Sequence, residues 1–329
     1  MPLPFLAVPA IATAAYGLYK SGKATKDKIE ANKINENAHN LIELATEIIE
    51  DQKKRTSYAL ESYGSKKLRA FNSVIEDFIQ LFGQLKNIEL VSSPELDKLQ
   101  LGNDSNKLLD NLQNDYNMLM SSGLGVGAGL GGGAAIAFGA YNGTMLLASA
   151  GTGTAISTLS GAAATNATLA WLGGGTLAAG GAGVAGGLMV LGGLVAGPAL
   201  AVFGLVVGNK AEQALSDAKS NRQMAQTNYD EAILASEKLK AVEEIVNLAN
   251  RVFSNVTKNL RRSNKELKNI IDVSGTNFEN FKDDEKKIVF KSVKYAQLLK
   301  AMIDTPILDE NGNLVLSTEK KIQELESQI

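Results

Sequence analysis

The sequence predicts a mainly α protein. Long helices, forming a coiled coil or bundle, flank a glycine-rich apolar helical hairpin, with a minor β-hairpin near the C-terminus. Three observations lead there. An uncharged block runs from Tyr116 to Asn209, 94 residues without Asp, Glu, Lys, Arg or His, and it holds 25 of the 32 glycines. The stretch from Lys210 to Ser274 contains neither Pro nor Gly and carries a continuous apolar stripe. The residues before the block carry a second stripe at helical spacing.

Composition narrows the function classes. The 329 residues carry 33 basic and 35 acidic side chains, so no bulk field draws the chain to nucleic acid. There is no cysteine, which excludes disulfides, thiolate metal sites and cysteine nucleophiles. The single histidine, His39, lies among polar residues and is expected on a solvated helix face. No catalytic residue, metal ligand set or cofactor site is expected, and the chain does not read as an enzyme.

The elements follow in order. Residues 1–20 form an apolar arm interrupted by Pro2, Pro4 and Pro9 and lacking a basic leader segment. The arm is expected to be retained and to lie in a membrane interface or on the central block, not to be a cleaved signal peptide. Residues 21–115 form a helical region, of which 21–88 read as helix. Leu68, Phe71, Ile75, Phe78, Phe82 and Leu85 alternate by three and four along one face, with a weaker stripe at Leu41, Leu44, Ala45, Ile48 and Ile49. Gly64 and Gly83 are positions where these helices kink or end. Past Pro94, a further helix places Leu108, Leu109, Leu112 and Tyr116 on a common side. Residues 210–274 read as one helix of about 90 Å. Its stripe is Val242, Ile245, Val246, Ala249, Val252, Phe253, Val256 and Leu260. That length without caps suggests a coiled coil or extended bundle. Residues 275–329 begin with a break. A helix opened by Asp283 and Asp284 follows, where negative charge suits the helix dipole. Next come "TPILDENGNLVLS", read as a hairpin about Asn311, Gly312 and Asn313, and a short charged helix.

The block, residues 116–209, holds three stretches near the roughly 20 apolar residues that cross a bilayer. They are Gly123 to Ala150, Ala167 to Gly187, and Leu188 to Gly208, which contains Pro198. Glycine costs about 1 kcal/mol relative to alanine in a water-exposed helix. In a membrane it lets helix backbones approach closely. The spacing fits that use. Gly123, Gly127 and Gly131 recur at four, Gly183 and Gly187 are four apart, and so are Gly193 and Gly197, and Gly204 and Gly208. Trp171, the only tryptophan, sits at the edge of an apolar run, where it reads as an interface residue or as ordinary packing.

Gly181, Gly183 and Gly186 also match the dinucleotide-binding spacing. That motif needs a strand before it and an acid about 20 residues beyond. Neither is present: "WLGGGTLAAG" precedes it, and the next acid is Glu212, across Pro198.

The run "GTGTAISTLSGAAATNATLAWLGGGTLAAGG", with "GAYNGTMLLASA" before it, "VLGGLVAGPALAVFG" after it and the start "MPLPFLAVPAIATAAYGLYKSGK", resembles a family of uncharacterised bacterial glycine-rich hydrophobic-hairpin proteins. In arrangement alone, the chain resembles α-helical pore-forming toxins of the cytolysin A kind, in which long helices are interrupted by an inserting apolar hairpin. The expected function is membrane insertion or permeabilisation, as an oligomer. One alternative is a membrane-anchored scaffold binding a protein partner through residues 210–274. Another is a soluble helical bundle that buries the block. Expected partners are a lipid membrane and further copies of the chain, not nucleic acid. The expected location is the bacterial cytoplasm and inner membrane, with the flanking helices on the cytoplasmic side.

Overall fold

A computed structural model of the chain describes residues 8–88, 105–121, 135, 138–140, 211–309 and 313–329. Helix α1 runs from Val8 to Ala70 and passes through a π-helical turn, Phe71–Ile75, into α2, Glu76–Phe82. Helix α3 spans Ser105–Ser121, and α4 spans Ala211–Ser274. After a 3-10 turn at Phe278–Asn280 come α5, Asp283–Asp304, and α6, Thr318–Glu326. The protein is therefore mainly α, and its long helices enter a packed bundle.

Two expectations about α1 change. The helix begins at Val8, so most of the apolar arm lies within it. Gly64 lies inside α1 and does not end it, whereas Gly83 caps α2. Where a β-hairpin was expected, the described residues hold one antiparallel bridge, Leu308 with Leu314, and no strand. Asp309 N–H donates to the Asn313 carbonyl at 2.8 Å and Val315 N–H to the Ile307 carbonyl at 3.0 Å. Asn311 and Gly312, the centre of the expected turn, lie outside the described residues.

Burial along α4 repeats every seven residues. One series is Ala218, Ala225, Ala232, Leu239, Val246, Phe253, Leu260 and Leu267. The other, three residues on, starts at Asn221 and Asn228 and continues through Ala235, Val242, Ala249, Val256, Ser263 and Ile270. Alternating steps of three and four are the seam of a coiled coil. Six of the eight stripe positions expected from Val242 to Leu260 lie on that seam, and Ile245 and Val252 are buried beside it.

The described residues fall into two compact units, divided after Gln52 in α1 and after Glu237 in α4. In the first unit the seam is made of small residues. Ala31, Ala38 and Ala45 of α1 are buried, as are Ala218, Ala225, Ala232 and Ala235 of α4. The Asn221 side-chain amide donates to the Asn35 side-chain carbonyl at 3.0 Å. His39 is exposed, as expected.

In the second unit the core is large and aliphatic-aromatic. It gathers α1, α2, α4, α5 and α6, and includes Leu60, Phe71, Phe78, Phe82, Phe253, Leu299 and Ile322. Tyr63 meets Phe253 edge-on at 5.8 Å, and Phe78 stacks on Phe82 at 5.2 Å. Burying each such side chain stabilises by about 1.5–3 kcal/mol.

Four links along this unit show that α1 and α4 run in the same direction. Thr56 Oγ1 donates to the Leu239 carbonyl, Lys66 Nζ to Ser254 Oγ, and Asn264 Nδ2 to the Val74 carbonyl within the π-helical turn. At the far end Lys86 N–H donates to the Thr276 carbonyl, closing a parallel bridge. Helices α2 and α4 both end just before that bridge. Asn87 and Gly275 there adopt the left-handed region, at φ 56° and 81°. Gly275 takes it without a Cβ penalty, and its N–H caps the Ile271 carbonyl at 3.1 Å.

Candidate functional site

The uncharged block meets the bundle at Ala135 and Phe138–Ala140, which are helical and buried. Contact is close because both facing residues lack a side chain. A Cβ added to Gly64 would overlap the Ala135 carbonyl oxygen and come within 2.7 Å of the Gly139 nitrogen. One added to Gly139 would overlap the Leu60 carbonyl oxygen. Gly64 is thus the α1 half of a backbone-to-backbone contact, and Gly139 is its partner in the block.

Polar groups clasp the same segment. Lys67 is fully buried, and its Nζ donates to the Phe138 carbonyl at 3.2 Å and the Ile303 carbonyl at 3.5 Å. The amine also lies over the Tyr63 ring, 4.5 Å from its centroid, and 5.9 Å from that of Phe138. Ile307 and Leu308 N–H groups both donate to the Ala140 carbonyl, at 2.8 and 3.0 Å. Phe138 packs edge-on against Phe71 at 6.4 Å. The clasp therefore draws on α1, α5 and the segment following α5.

Burial governs the protonation of these groups. It pulls the Lys67 ammonium down to about 7, with the Asp304 carboxylate acting weakly the other way. It pushes the Tyr63 phenol up; the hydroxyl donates to the Met302 carbonyl at 3.4 Å. One turn from Asp304, Lys300 bridges Asp304 at 2.6 Å and Asp115 at 2.9 Å, tying α3 to α5. Burial disfavours the Lys300 charge, but hydrogen bonds to Asp304 and Asp115 outweigh it and raise its pKa. Asp115 is the last charged residue before the block.

The arrangement can hold the start of an apolar block against a bundle through one buried, titratable amine. Among the described residues no cluster of His, Cys, Asp and Glu could hold a metal ion. Asp283 and Asp284 open α5, and the neighbouring Glu285 accepts from Ser274 Oγ and Lys282 N–H.

The positions singled out in the block, Gly123, Gly127, Gly131, Trp171, Gly183, Gly187, Gly193, Gly197, Pro198, Gly204 and Gly208, lie outside the described residues. So does the dinucleotide-like spacing at Gly181–Gly186. Among the described residues, no helix is long and apolar enough to cross a membrane. Of the three candidate spans, only Ala135 and Phe138–Ala140 are described.

Sequence reasoning did not single out Lys67 or Gly139. A signal for Lys67 was present: it stands four residues after Tyr63 and four before Phe71, on the apolar stripe and not opposite it. No family model matches the chain, and no curated protein or solved structure matches it significantly.

Proposed function

We propose that this is a membrane-inserting helical protein. Its glycine-rich block associates helix to helix in lipid and permeabilises the bilayer as an oligomer. The observation that carries this reading is the absence of any charged side chain over 94 residues, in a chain that charges its other surfaces freely. A block of that length exposed to water would lack the charge that keeps surfaces soluble. The clasp at Lys67 and Gly64 then holds the start of the block until lipid competes for it. Full-length protein mixed with dye-loaded vesicles is expected to release the dye and to pellet with the lipid. Protein that stays monomeric and leaves vesicles intact would sink the proposal.

A second reading is favoured by the burial of Phe138 and Ala140: the chain is a bundle that keeps the block in its own core. It expects detergent-free solubility together with protease resistance throughout residues 123–208. Rapid cleavage there in the absence of lipid counts against it.

A further inference from the structure

The near-neutral charge of the whole chain conceals a local segregation along α4. From residue 211 to 250 this helix carries seven acids and four bases; from 251 to 268 it carries six bases and one acid, Glu266. Five of those bases, Lys258, Arg261, Arg262, Lys265 and Lys268, are exposed. At 100° per residue they fall within an arc of about 120°. The arc lies opposite the buried seam of Val256, Leu260, Ser263 and Leu267. None of the five forms an ion pair among the described residues.

We propose that this face of α4 docks the bundle on an anionic lipid surface. The step rests on the membrane reading above and names the lipid class it requires. Five like charges on one helix face, outnumbering the exposed acids Glu266 and Asp272 on and beside it, repel one another in water and are relieved by a negative plane. A lipid surface fits better than single-stranded nucleic acid. From Lys258 to Lys268 there is no aromatic side chain on which a base could stack. The apolar arm and block supply what a peripheral charge contact lacks, since stable attachment takes a second signal.

The test is co-sedimentation of the full-length protein with two kinds of vesicle, one phosphatidylcholine alone and one with roughly one third phosphatidylserine. Wild type is expected to prefer the anionic vesicles, and raising salt from about 0.05 M to about 0.5 M should remove that preference. Arg261→Gln/Arg262→Gln/Lys265→Gln should weaken that binding at least about tenfold. Arg261→Lys/Arg262→Lys/Lys265→Arg should restore it. A matched triple on the same helix, Lys219→Gln/Arg222→Gln/Lys238→Gln, should leave it unchanged. Helix content by circular dichroism shows whether each variant is folded.

Equal binding to both vesicles by wild type, or equal loss in both neutralised triples, overturns the proposal. So does tighter binding to duplex DNA or RNA that depends on the same three residues. Salt-reversible binding without dye release keeps the docking face and rejects insertion. Dye release from neutral vesicles with no anionic preference does the reverse.

Discussion

Lys67 is costly where it stands. A buried amine gives up hydration, and two carbonyls and a ring face return only part of it. The folded state therefore binds its proton less tightly than the unfolded chain, whose lysine titrates near its ordinary 10.5. Between about pH 7 and 10.5 the unfolded state carries more protons, so stability rises with pH across that window. Below about 7 the full cost of the buried charge is present. Urea denaturation of the wild type at pH 7 and about 9 should show a gain on the order of 2 kcal/mol on alkalinisation. In Lys67→Met this gain should vanish. A slope unchanged by the substitution would mean that another group titrates.

Gly64 offers a test by sign. In a solvent-exposed helix, Gly→Ala stabilises by about 1 kcal/mol. Against the Ala135 carbonyl the added methyl has no room, so Gly64→Ala should instead destabilise by about 2 kcal/mol or more. The same variant should release dye from vesicles faster than wild type, because it loosens the clasp without touching the rest of the block.

At the scale of elements, the two halves of α4 differ in how plainly the sequence announces them. Val242 to Leu260 is written in large apolar residues, and all eight of the stripe's positions are buried. Upstream the seam is Ala218, Ala225, Ala232 and Ala235 with Asn221 and Asn228. Alanine carries little hydropathy, and asparagine reads as surface, so the period was hidden although it never breaks. The expected stripe on α1 met the same difficulty: Ala45 and Ile49 are buried, but Leu44 is 43% exposed, and the seam instead takes Ala31 and Ala38. The clasp was less legible still. Close approach of Gly64 and Gly139 depends on a fold that brings residues 75 apart into contact, which spacing within one helix does not encode.

The Asn35–Asn221 pair carries its own expectation. A polar pair within an alanine seam fixes register at some cost to stability. Replacing only Asn221 by Leu should cost about 1–3 kcal/mol, because it strands the Asn35 amide. Replacing both by Leu should recover most of that loss. Thermal melts of the two single variants and the double variant measure the coupling. Additive effects would show that the pair does not act as a unit.

For the molecule as a whole, charge and hydropathy are partitioned by segment as well as by face. Six of the ten bases of α4 lie in its second half, and the block carries no charge at all. Asp115 and Lys300 stand at the boundary, joining α3 to α5 just before the block begins. Asp115→Asn should lower stability by about 1–3 kcal/mol, since it leaves a largely buried ammonium with one carboxylate in place of two. Chemical denaturation at neutral pH would measure that loss.

The parallel course of α1 and α4 has a consequence in time. The α1 residues Thr56, Lys66 and Val74 find their partners 183 to 190 positions later in the chain. At synthesis rates of about 5–20 residues per second, that delay is roughly 10–40 s. Throughout it the apolar face of α1 has no α4 to cover it, and the uncharged block is made within that interval. A membrane present during synthesis would therefore meet the block before the bundle is complete. On the proposed membrane reading, a translational pause placed before Ala211 should shift the outcome toward lipid.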